Sequence, residues 1–277
     1  MLKRIAQASA WFMAYFILQN VISIVLAVVK IASSPDLLNA FKDPAQMSDV
    51  LMDVTMQTVV PALIISAVCY ILIYLVHRKI VHKKLDLCTL DWQKALFFVG
   101  VGGVINVAVN LTVSLAAAFM PKSWVDALTS STDMVATGQP FWLLLLGTGL
   151  LVPIMEELTF RYGVHKTLAQ HNVAFAYVAS SIIFGLMHGN PIQIVYAALL
   201  GWLLAYVYTK TENIWYPIIL HAVNNTSSLL QGIFPSVIMY ICVIAGGGAV
   251  IALIAYFACP RVRAMFNKKT PTPAPLE

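Results

Sequence analysis

Six polar side chains interrupt the apolar stretches of this chain where charge and hydrogen-bonding groups are most costly. They are Glu156, Glu157 and Arg161 in "EELTFR", His188 in "FGLMH", and His221 and Asn225 in "HAVNN". The other acidic residues fall in polar segments, tails or segment edges, and His77, His82, His165 and His171 fall in basic stretches read as loops. Ionisable groups inside a membrane segment are costly and mark a functional site by default. Helical spacing separates their jobs. Glu157 and Arg161 stand at i and i+4 with the acid first, the favourable order for an ion pair, so Glu157 reads as the counter-ion that fixes the helix. Glu156 lies about 100° round the same helix and is left to face a cavity as a candidate general base. His221 and Asn225, also i and i+4, point to one spot, with Asn224 turned about 100° away. Phe184 and His188 share a face of a third helix, which Gly189 to Pro191 end just past the histidine. Converging, Glu156, His188, His221 and Asn225 supply a base and donors for an oxyanion. Phe184 reads as packing.

The elements that must position these groups are membrane helices. The chain has 277 residues, 60% hydrophobic and 10% charged, with mean hydropathy +0.82. Soluble domains carry about 25% charged residues. The expected fold is therefore all-α, a polytopic integral membrane protein of about eight transmembrane helices, at 9–32, 57–76, 93–119, 141–161, 173–188, 192–209, 214–230 and 236–258. The net charge of +5 is spread over loops and tails, which suits topology signals rather than a nucleic-acid footprint. "HRKIVHKKLDL", "RYGVHKTLAQH" and "RVRAMFNKK" are basic, and the segments between them acidic. Lys and Arg collect on the cytoplasmic side, which places both termini in the cytosol and requires an even number of spans. One membrane domain, 1–277, is expected, with a catalytic core at 140–230 and a basic, Pro-rich cytosolic tail at 260–277. Cys69, Cys88, Cys242 and Cys259 form no CxxC pair and read as small buried hydrophobes.

One condition follows from depth. A fourth helix ending at Arg161 leaves Glu156 near one membrane surface and His188 near the other, about 15–20 Å apart at 1.5 Å per residue. The site requires that helix to continue through "YGVHKTLAQ" to about residue 170.

"EELTFR", "FGLMH" and "HAVNN" resemble the EExxxR, FxxxH and HxxxN motifs of the CPBP family of intramembrane proteases, also called the CAAX protease or Abi family, in the family's order and on separate spans. The resemblance implies an eight-helix membrane peptidase in which the first glutamate, here Glu156, activates water while His188, His221 and Asn225 bind the oxyanion. Glu157, Arg161 and Phe184 fall in supporting places. It also implies a membrane-associated peptide or protein as substrate. Eukaryotic members trim prenylated proteins, and bacterial members are linked to bacteriocin processing and self-immunity. The compact chain looks like the bacterial branch, in the cytoplasmic membrane. No cofactor is expected. Zinc on Glu156, His188 and His221 is the alternative, since two histidines and a carboxylate could leave an open water position, although HExxH is absent. The rival functions are a non-enzymatic scaffold or immunity protein, and a transporter using the embedded acids as a proton relay. Partners other than substrate are the lipid bilayer, with no nucleic acid.

Overall fold

Long apolar runs without turn residues can satisfy their backbone in a bilayer only as helices, and that is what the chain forms. The computed structural model describes residues 1–80 and 89–267, all helix and connecting turns with no strand among them. The helices are α1 (Leu2–Ala32), α2 (Pro35–Lys42), α3 (Met47–Ile80), α4 (Trp92–Ala117), α5 (Lys122–Ala136), α6 (Phe141–Ala169), α7 (Val173–Leu186), α8 (Pro191–Thr211), α9 (Trp215–Leu230), α10 (Val237–Ala258) and α11 (Pro260–Asn267).

Among the described residues a helix lies at each of the eight expected segments, in the expected order. Six of them (α1, α3, α4, α6, α8 and α10) are long and apolar enough to cross a membrane. The chain is a polytopic all-α membrane protein. At 14 and 16 residues, α7 and α9 rise only about 21 and 24 Å at 1.5 Å per residue, short of a hydrocarbon core of about 30 Å. The shortness of α7 matters for the site, because the helix ends at Leu186 and His188 sits in the turn that follows. Asn172 caps the start of α7 through the Phe175 N–H, and Asn190 caps α8 through the N–H groups of Ile192 and Gln193. Between them Gly189 takes φ +72°, a left-handed turn that glycine makes without strain. The amide of Asn190 also reaches the Trp124 carbonyl of α5 at 3.5 Å, so protein covers non-helical backbone that lipid could not solvate.

The two largest of four core clusters among the described residues hold most of the bundle. Tyr15, Tyr70, Met155, Phe160 and Phe184 join α1, α3, α6 and α7, and Phe98, Leu204, Tyr216, Leu220 and Met265 join α4, α8, α9 and α11. Helix α4 packs between α9 and α10. At the α4–α10 crossing a Cβ on Gly100 would lie 2.4 Å from the Gly248 carbonyl oxygen, and one on Gly248 would lie 2.6 Å from that of Gly100. Small residues thus allow backbone-to-backbone contact where lipid offers no hydrophobic drive. The outer faces of α1 and α10 stay apolar and exposed, including Ile24, Val28, Ile254 and Phe257, as a lipid-facing belt requires.

Several segments read as loops are helical. "RYGVHKTLAQH" continues α6 to Ala169, and His165 is buried within it; its basic residues suggested solvent, but tertiary packing takes that face. The acidic loop after α1 contains α2, started by Ser34 as cap and Pro35 at the first turn, and the next one contains α5. The tail begins as α11, which buries Val262 and Met265; its remainder, 268–277, lies outside the described residues, as do His82, Cys88 and most of "HRKIVHKKLDL". Cys259 is buried as expected, whereas Cys242 is exposed on α10, where an apolar thiol is compatible with lipid.

Candidate active site

Helix α6 meets the depth condition by running unbroken from Phe141 to Ala169. It does so with two π-helical stretches, Leu145–Leu151 and Leu158–His165, on either side of the α-helical turn that carries both glutamates. Such π turns rarely persist without a functional or packing reason. Here the first has a covalent cause as well. Val152 donates to the Gly147 carbonyl, an i to i−5 bond. The next donor in that register, to the Thr148 carbonyl, would come from residue 153, a proline with no N–H. The orphaned Thr148 carbonyl instead accepts from Asn225 Nδ2 on α9 at 3.0 Å. Helix α9 comes close enough because residue 149 is glycine, whose Cβ would stand 3.0 Å from Thr226 Oγ1.

Glu157 is fully buried and has two partners. Its Oε2 lies 2.9 Å from Arg161 Nε, an ion contact without the alignment of a hydrogen bond. Its Oε1 accepts from His221 Nδ1 at 2.9 Å. The first partner follows from i, i+4 spacing, and the second, on another helix, does not. Glu157 therefore ties α6 to α9 and fixes the His221 proton on Nδ1, so that Nε2 faces the site. That nitrogen stands 3.7 Å from Glu156 Oε2. This is too long for a direct hydrogen bond and suits one bridging water. The Glu156 side chain keeps 11% exposure where Glu157 keeps none, so Glu156 is the carboxylate with access to open space. It also has an unforeseen partner, because Tyr15 on α1 donates to its Oε1 at 3.3 Å.

Phe184 is more than filler. Its ring takes the Arg161 guanidinium carbon at 4.7 Å on its face and lies 5.2 Å from the His188 ring and 5.8 Å from the His221 ring, centroid to centroid. Arg161 Nη1 and Nη2 are buried with no hydrogen-bond partner among the described residues, and the electron-rich ring face stands in for one. Gly201 on α8 leaves room for the ring, since a Cβ there would meet Phe184 Cδ1 at 2.9 Å. His188 Nδ1 lies 3.0 Å from the Phe184 carbonyl. A carbonyl can only accept, so Nδ1 carries the proton and Nε2 is the free nitrogen.

The structure thus brings Glu156, Glu157, Arg161, Phe184 and His221 into one connected cluster, with His188 beside the shared Phe184 ring. Asn225 is anchored to α6 at Thr148, about two turns before the glutamates. Asn224, expected to point away, donates from Nδ2 to Asn225 Oδ1 at 3.2 Å. Behind it Asn106 Nδ2 holds the Asn224 carbonyl at 2.8 Å and Ser228 Oγ at 2.7 Å, and Tyr240 hydrogen-bonds to Asn106. Tyr15, Asn106 and Tyr240 left no signal in local spacing, because each reaches the site from another span. Pro153 did leave one, since a proline five residues after a threonine strips a carbonyl of its π-register donor. Among the described residues no three His, Cys, Asp or Glu side chains gather so as to hold a metal ion. Glu156, His188 and His221 therefore do not form a ready zinc-ligand set in this arrangement.

Residues 138–227 match the family model described as type II CAAX prenyl endopeptidase Rce1-like. The chain is similar to "Putative membrane peptidase YdiL" of Bacillus subtilis (strain 168), at 31% identity over 94 residues, 34% of this chain and 38% of that protein. It is also similar to "UPF0177 protein YxdF" of Lactococcus lactis subsp. lactis (strain IL1403), at 27% identity over 158 residues, 56% of this chain and 86% of that protein. The match to the first relative spans under two fifths of that protein's length. No solved structure matches. The three motifs all lie inside the matched segment, so the resemblance read from them is supported by an independent comparison.

Proposed function

Taking as premise that this membrane protein carries a core of the CPBP, or CAAX protease, family at 138–227, we propose that it is an intramembrane endopeptidase that hydrolyses a peptide bond of a membrane-associated protein or peptide. The observation that supports this most directly is the pairing of Glu156 Oε2 with His221 Nε2 at 3.7 Å, backed by Glu157 on His221 Nδ1. A water between the first two loses a proton to Glu156 as its oxygen bonds to the scissile carbonyl carbon. The carbonyl π electrons move onto oxygen. The remaining amide N–H of Asn225 and the Nε2–H of protonated His188 or His221 stabilise that oxyanion; Glu157 offsets the charge of a protonated His221. Collapse of the tetrahedral intermediate breaks the C–N bond, and Glu156 returns its proton to the leaving amine. The chain needs no cofactor in this scheme.

The organisation of the membrane belongs to the same proposal: a bacterial cytoplasmic membrane, both termini cytosolic, and no nucleic-acid partner. Comparing the peptides released by membranes containing the wild-type protein with those from Glu156→Gln membranes tests the function and identifies the substrate. Peptides that appear only with the wild type are expected. Identical peptide sets, with the variant inserted normally, would favour the scaffold reading.

A further inference from the structure

Helix α1 lies outside the segment that matches the family, and most of it faces lipid. Its apolar window is 6% buried, and Ala8, Tyr15 and Ile31 are its buried residues. Tyr15 is 3% exposed. Its ring is held edge-on by Tyr70 at 6.3 Å and Phe160 at 5.7 Å, a slot that phenylalanine would fill equally well. What tyrosine adds is the hydroxyl, and that hydroxyl donates to Glu156 Oε1 at 3.3 Å. Oxygens of one carboxylate are thereby given different partners, Oε1 to Tyr15 and Oε2 towards His221 Nε2. A glutamate's terminal torsion is otherwise broad and two-fold, so an unheld carboxylate would present either oxygen in several orientations. Distances above 3 Å are common for catalytic hydrogen bonds in substrate-free sites.

We infer that Tyr15 is a positioning residue for the reaction, which α1 supplies to turn Glu156 so that Oε2 is the oxygen that takes the proton from water. The inference rests on the reading of Glu156 as the base. It gives α1 a part in catalysis that its lipid-facing sequence does not advertise.

The test uses the full-length protein in proteoliposomes, with a quenched synthetic version of a peptide released by wild-type but not Glu156→Gln membranes. Tyr15→Phe keeps the ring and removes the hydroxyl. It is expected to lower kcat about ten- to a hundredfold, as for loss of a hydrogen bond to a charged group, with KM and the thermal midpoint unchanged. Tyr70→Phe is the control for loss of a buried hydroxyl in the same aromatic cluster, since the Tyr70 hydroxyl is near Thr159 and makes no hydrogen bond to Glu156; it should keep the wild-type kcat. A wild-type kcat in Tyr15→Phe, or equal falls of kcat and thermal midpoint in both variants, would overturn the role of Tyr15 while leaving Glu156 as base. Absence of any peptide that depends on Glu156 would overturn both readings together.

Discussion

Glu157 is held from both sides, by Arg161 and by His221, with no exposure to solvent, whereas Glu156 has one long hydrogen bond and an open side. The two adjacent acids should therefore separate in experiment. Glu157→Gln leaves the Arg161 charge buried without its counter-ion, and breaking such a pair costs about 3–5 kcal/mol; thermal or denaturant unfolding in detergent should show a large loss of stability together with lost activity. Glu156→Gln should fold within about 1 kcal/mol of wild type. Both glutamates were visible in the sequence as embedded acids, and the Glu157–Arg161 pair followed from i, i+4 geometry. The Glu157–His221 bond was not, because it joins residues 64 positions apart and no local period reports on such a contact. The same limit hid Tyr15, which sits 141 positions from Glu156.

At the scale of the element, α6 is the helix that decides the site. Its first π stretch leaves the Thr148 carbonyl to Asn225, since residue 153 is proline. Pro153→Ala restores an N–H there and lets the helix satisfy that carbonyl internally. Stability is then expected to hold while kcat falls about tenfold as Asn225 loses its anchor, a split read from steady-state kinetics beside a melting curve. Helix α8 contributes by what it lacks. Gly201→Val would place a branched side chain where a Cβ already meets Phe184 at 2.9 Å, and overpacking of this kind costs about 1–3 kcal/mol. It should also displace the ring between Arg161 and the two histidines, so activity and stability should fall together. Helix order and the end of α7 just before His188 were legible from apolar runs and glycine–proline signals, and the continuation of α6 past Arg161 was the condition that depth set for the site. The first π stretch was not, because its cause combines a proline with a partner on another helix.

For the whole molecule, the six helices long enough to cross a membrane, with the shorter α7 and α9, fit a chain that starts and ends on one side. The proposal that this side is the cytosol rests on the alternation of basic and acidic segments. In a cysteine-free variant of intact cells, a membrane-impermeant maleimide should label Thr132→Cys on α5 and spare Gln7→Cys near the start of α1; the reverse pattern would invert the topology. Charge patterning is the ground for this proposed arrangement, but it gave no sign that the polar stretches between spans fold as α2 and α5, because short helices with one covered face have loop-like composition.

The central claim is that Glu156 carries the proton of the attacking water. The most direct measurement is the initial rate of peptide-bond cleavage by purified Glu156→Gln protein in proteoliposomes beside the wild type, each with and without a strong zinc chelator. Loss of the base should lower the rate at least about a hundredfold and leave the thermal midpoint unchanged, and the wild-type rate should be indifferent to the chelator. Cleavage by Glu156→Gln at the wild-type rate would contradict the claim.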